Sequence, residues 1–121
     1  MSAWLWAGVA VLGGIGACGR FALDSLIAGR VGRDLPVGTL TVNATGALAL
    51  GLLTGLAVEG NALLLAGTAT LGSYTTFSTW MLETHRLAED AQATGAIVNV
   101  VLSLALGIGA AALGNAIGAH A

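Results

Sequence analysis

Residues 72–80 read Gly72-Ser73-Tyr74-Thr75-Thr76-Phe77-Ser78-Thr79-Trp80. Hydroxyls and β-branched residues are concentrated here, inside an apolar segment from about Ala62 to Leu82 where a lipid-facing helix would carry leucine. Serine and threonine side chains bond to nearby backbone and loosen the helical ladder. Non-helical backbone at membrane depth is tolerated only when it is buried in protein or lines a wet cavity. The run therefore predicts a third membrane helix broken near its middle, with released carbonyls able to bind a cation.

The rest of the chain supports a bilayer as solvent. Its 121 residues are 56% hydrophobic and 8% charged, with mean hydropathy +0.89, outside the range of a soluble domain with a polar surface. A spanning helix takes about 20 apolar residues. The chain divides into four such segments, about 4–27, 37–58, 62–82 and 93–117, which together make one transmembrane domain over 1–121. Trp4 and Trp6 fit an interfacial anchor for the first segment, which lacks the basic start of a signal peptide and is expected to be retained. A polar loop is expected from Gly29 through Arg30, Gly32, Arg33 and Asp34 to Pro36, a tight turn at Glu59-Gly60-Asn61, and a wet connection from Glu83 to Asp90.

Four arginines, no lysine and a net charge of −2 offer no basic surface for nucleic acid. Arg30, Arg33 and Arg86 fall in loops that share one side, which the positive-inside rule places in the cytoplasm. Cys18 is the single cysteine, has no partner for a disulfide or metal site, and is expected to be a small packing residue. Among 19 glycines, Gly46, Gly51 and Gly55 and then Gly107, Gly114 and Gly118 recur at helical spacing, as close helix packing in lipid requires.

Polar groups at membrane depth cost free energy unless partnered, so each is a candidate for function. Arg20 follows a glycine-rich stretch and precedes Asp24 by four residues; it is either a snorkelling arginine or an anion attractor at a pore mouth. Asn43 has Thr39 one turn before it, and its amide supplies either interhelical hydrogen bonds or donors for an anion stripped of water. Phe77 and Trp80, three apart, project from one face, and the positive edges of their rings can meet an anion. Ordinary aromatic packing is the alternative. Glu83 follows Thr79 by one turn at the end of its span, and Asn99 with Ser103 marks a polar stripe on the fourth.

These residues resemble the Fluc/CrcB fluoride channels over nearly the whole chain. Gly13, Gly14, Gly16, Ala17 and Arg20 are similar to that family's first-span pattern. Pro36, Gly38, Thr39, Leu40, Val42, Asn43 and Gly46 resemble its second, and Gly72, Thr75, Thr76, Phe77, Ser78, Thr79, Trp80 and Glu83 its third. The resemblance implies an antiparallel, inverted dimer with two anion pores and a structural sodium ion held at its centre by the backbone carbonyls of Gly72 and Thr75. It also implies a fluoride path lined by Asn43, Phe77 and Trp80, with Ser78, Thr79 and Ser103 as hydroxyl donors and Arg20 at the entrance. Thr39, Thr76, Glu83 and Asn99 are further candidates. Two positions depart from the pattern: Trp80 stands where phenylalanine is common and Asn99 where tyrosine is common.

The function so implied is passive export of cytoplasmic fluoride across the plasma membrane, conferring fluoride resistance without enzyme chemistry. The dimer pairs two identical chains or, alternatively, this chain with a paralogue of opposite orientation. A proton-coupled small multidrug exporter would need a carboxylate deep in a span, whereas the acids here lie near span ends or in loops. A structural subunit of a membrane assembly would have no need of the hydroxyl-rich run.

Overall fold

A computed structural model describes residues 2–121, all of whose regular structure is helical. Helix α1 covers Ala3–Val31, α2 Val37–Gly55 and, at the other end of the chain, α5 Ala93–Ala119. These three are long and apolar enough to cross a bilayer. Between α2 and α5 the chain forms α3, residues 60–74, and α4, Ser78–Glu89. The middle of α3, Leu64–Leu71, is wound as a π-helix, and the Thr70 hydroxyl donates five residues back to the Leu65 carbonyl at 2.7 Å.

Helix α1 starts where the Ser2 hydroxyl accepts the Leu5 N–H, and stops at Gly32, whose φ of 81° closes the last turn by donating to the Ala28 carbonyl. Gly29 and Arg30 are therefore helical rather than part of the expected loop. At 1.5 Å per residue α1 is about 43 Å long, more than the roughly 30 Å apolar thickness of a bilayer. Arg30 in that last turn complements the helix dipole.

Helix α2 ends at Gly55, short of Val58, because Ala57 takes a left-handed conformation (φ 58°). Its N–H donates to the Thr54 carbonyl and that of Val58 to Leu53, the bonding pattern of a Schellman cap. The reversal thus occurs at Leu56–Val58, and Gly60-Asn61, expected as the turn, begins α3 instead.

Helix α2 is central. It packs most extensively on α5, while α3 lies chiefly on α1 and α4 on α5. The α2–α5 contact is backbone on backbone: a Cβ on Gly51 or Gly55 would collide with the backbone at Ala111 or Asn115, and one on Gly114 or Gly118 with that of Leu48 to Leu56. Gly107, of the same spacing, meets nothing within 4 Å. On α1, Gly16 is buried against Thr70, so Cys18, about 200° further round the helix, is exposed rather than packed within the chain. Leucine at Gly51 or Gly114 should cost about 3 kcal/mol or more through overpacking. The thermal midpoint of detergent-solubilised protein should fall accordingly, whereas Gly107→Leu should leave it unchanged.

Candidate functional site

The site begins where helical backbone stops. Tyr74 ends α3, Thr75 is extended (φ −80°, ψ 160°), and α4 resumes at Ser78. Asn43 on α2 lies beside this interruption and hydrogen-bonds Thr76 twice. Its Nδ2 donates to the Thr76 carbonyl and its Oδ1 accepts the Thr76 N–H, both at 2.8 Å. One side-chain amide thus satisfies both backbone groups of a residue that has left the helical ladder.

The pairing has a further consequence for the preceding carbonyls. The Thr76 N–H, engaged by Asn43, does not donate to Gly72. The Thr79 N–H donates to the Thr76 hydroxyl at 3.2 Å rather than to Thr75. The carbonyls of Gly72 and Thr75 are consequently without their i+4 donors.

Local sequence keeps α2 close to the interruption. A Cβ on Gly46 would strike Thr75 Cγ2 and the Tyr74 ring. The Tyr74 hydroxyl lies 2.8 Å from that of Thr45, one residue before Gly46, which fixes the end of α3 against α2.

Two cavities flank the Asn43–Thr76 pair, and Thr76 lines both. An open groove of about 490 Å³ holds Asn43, Gly72, Thr75, Phe77 and Trp80 among apolar neighbours. The rings of Phe77 and Trp80 meet edge to face, with centroids 5.7 Å apart and planes at 80°. Phe77 is 69% exposed, so much of its ring is left uncovered by its own chain. On the other side, a cavity of about 180 Å³ is lined by Arg20, Phe21, Asp24, Thr39, Val42, Thr76 and Thr79. The Nε of Arg20 is buried there without a hydrogen-bond partner. Arg33 reaches back from beyond α1 to Asp24 at 3.4 Å, an ion pair at the rim of this cavity.

The remaining candidates lie further out. Glu83 lines a third cavity, about 290 Å³, with Arg33 and Arg86. The Ser78 hydroxyl is 3.4 Å from that of Thr76. Ser103 has a buried hydroxyl with no partner, as has the indole Nε1 of Trp80. Asn99 is buried on α5, and its Nδ2 donates to the Thr84 hydroxyl at 2.8 Å.

Sequence reasoning did not single out Thr84, or the Asp24–Arg33 pair. Thr84 follows Trp80 by one turn, the spacing at which a hydroxyl back-bonds, but its link to Asn99 is a tertiary contact without a local pattern. Replacing Asn43 by leucine strands the N–H and C=O of Thr76, a cost of about 3 kcal/mol or more. A lowered unfolding midpoint in detergent and faster hydrogen exchange at the Thr76 amide should report it.

The family model for CrcB-like protein, Camphor Resistance (CrcB), matches residues 7–115. A Mycobacterium bovis protein named fluoride-specific ion channel FluC 2 is 56% identical over 111 residues, covering 92% of this chain and 88% of its own. Proteins named fluoride-specific ion channel FluC 1 are 47% identical in Rubrobacter xylanophilus, over 89% of this chain and 88% of the relative, and 43% identical in Symbiobacterium thermophilum, over 93% and 96%. With the match spanning both cavities and the interruption between them, the chain belongs to the CrcB family, whose members named above are ion channels and not enzymes.

Proposed function

We propose that the chain is one half of a passive, selective fluoride channel of the plasma membrane, exporting cytoplasmic fluoride and thereby conferring resistance to it. Two copies pair in antiparallel orientation, and residues 60–89 form a third crossing broken at 75–77. The observation that carries this reading is the grouping of Asn43, the ring pair Phe77–Trp80 and non-helical backbone along one groove, in a chain whose relatives are named for fluoride.

Fluoride binds water tightly, so a dry path must return several close contacts of positive character. In this chain they are the edges of Phe77 and Trp80, the amide of Asn43 and the hydroxyls of Ser78, Thr79 and Ser103, with Arg20 drawing the anion to the entrance. The exposed ring of Phe77 and the open groove are surfaces that a second copy would cover; a paralogous chain of opposite orientation is the other occupant. The neutral weak acid HF enters and dissociates in the less acidic cytoplasm. The membrane potential then drives the anion out through a passive path.

A sodium ion at the dimer centre fits the residues present. Carbonyl oxygen without a helical donor is a ligand that suits a hard cation. The Gly72 and Thr75 carbonyls, relieved of helical duty, would hold it, and its charge would offset part of the cost of bringing anions into low dielectric. Of the acids nearest the site, Asp24 is paired with Arg33 and Glu83 shares a cavity with Arg33 and Arg86, so both stand against fixed positive charge rather than alone as a proton-coupled drug exporter requires.

In liposomes loaded with fluoride, Phe77→Ile and Trp80→Ile should each slow efflux about a hundredfold or more, a barrier raised by about 2.7 kcal/mol, with the dimer intact. Normal efflux in either variant removes that ring from the path. Exchanging sodium for a large organic cation during purification should weaken efflux or dimer stability; an unchanged protein would count against the central ion.

A further inference from the structure

Trp80 and Asn99 are joined in this chain by a residue that neither pattern nor spacing singled out. The Asn99 Nδ2 donates to the Thr84 hydroxyl at 2.8 Å, and that hydroxyl donates to the Trp80 carbonyl, also at 2.8 Å. The chain has one direction: amide N–H to hydroxyl, hydroxyl O–H to carbonyl. Accepting from Asn99 polarises the hydroxyl and strengthens its bond to Trp80. Thr84 alone would be free to turn its hydroxyl elsewhere; Asn99, 7% exposed, holds it in register from a different helix.

The location gives this link its use. Helix α4 restarts at Ser78 directly after the non-helical residues, so its first turn has no preceding helix to support it. Trp80 sits in that turn, with its ring against Phe77 and its indole N–H buried but unpartnered. No hydrogen bond from the indole fixes its height along the groove. The backbone carbonyl, one helical turn before Thr84, is where α5 takes hold of it.

We infer that Asn99 and Thr84 are positioning residues that hold the first turn of α4 on α5 and so set where the Trp80 ring stands in the groove. Asn99 on this account does not contact the anion. The inference rests on the reading of the groove as a fluoride path only for its effect on flux; the effect on Trp80 is independent of it.

The test uses full-length protein carrying Trp4→Phe and Trp6→Phe, so that Trp80 is the sole tryptophan, reconstituted into liposomes. Thr84→Val keeps the shape and removes the hydroxyl, Thr84→Ser keeps the hydroxyl, and Asn99→Ala removes the amide. Thr84→Val and Asn99→Ala should each raise acrylamide quenching of Trp80 about twofold and slow fluoride efflux about tenfold, the scale of one buried hydrogen bond. The double variant should be no worse than either single one, and Thr84→Ser should match the parent in both readouts. Unaltered quenching in Thr84→Val, or additive losses in the double variant, would overturn the inference. So would Asn99→Ala slowing efflux while Thr84→Val does not, since Asn99 would then act on the anion directly. If the parent passes no fluoride, the proposed function fails, and the quenching series still decides whether the link positions Trp80.

Discussion

The reciprocal pair between the Asn43 amide and the backbone of Thr76 is the interaction on which the rest of this structure hangs. With residues 60–89 proposed as a membrane crossing, a chain that abandons the helix there must pair the N–H and C=O it releases, because lipid offers no substitute for water. Asn43 supplies one donor and one acceptor at 2.8 Å each, which is what a single non-helical residue needs. With Thr76 fixed, the carbonyls of Gly72 and Thr75 are left free, the Phe77 and Trp80 rings lie along one groove, and the chain passes from α3, packed on α1, to α4, packed on α5. An amide that serves the fold in this way presents less of itself to a passing ion, so on the proposed function its role in the path is shared with the backbone it holds.

The glycines make that pairing reachable. A side-chain amide spans only a few ångströms, and Asn43 meets Thr76 because Gly46 lets α2 lie directly against Tyr74 and Thr75. Lower on the same helix, Gly51 and Gly55 face Gly114 and Gly118 across the α2–α5 contact, bringing two backbones together where lipid provides no hydrophobic drive. The positions that matter are those facing a neighbour, which is why Gly107 and Gly14, equally placed by spacing or by neighbourhood in the sequence, touch nothing.

Much of this was legible in the sequence, and what was not has physical reasons. The apolar segments and the unusual character of residues 72–80 could be read from composition and pattern, since both are local properties. Helix ends were less clear. Gly29 and Arg30 look like loop, yet Gly32 is the residue with the positive φ that ends α1, and Ala57 caps α2 in a conformation that composition does not favour. Tertiary partners were not visible at all: Asn43 is 33 residues from Thr76 and Asn99 is 15 from Thr84, and the sequence indicated only that each amide needed a partner. Cys18 was misplaced for the same reason, because which face of α1 meets Thr70 depends on the fold.

The account comes down to whether an assembly of this chain carries fluoride and excludes its larger halide relative. The most direct measurement is the reversal potential of the purified protein in a planar bilayer with fluoride on one side and chloride on the other. The current should reverse only far toward the fluoride equilibrium potential, with no measurable chloride component. A reversal near zero, or no current at all from a folded and assembled protein, would contradict it.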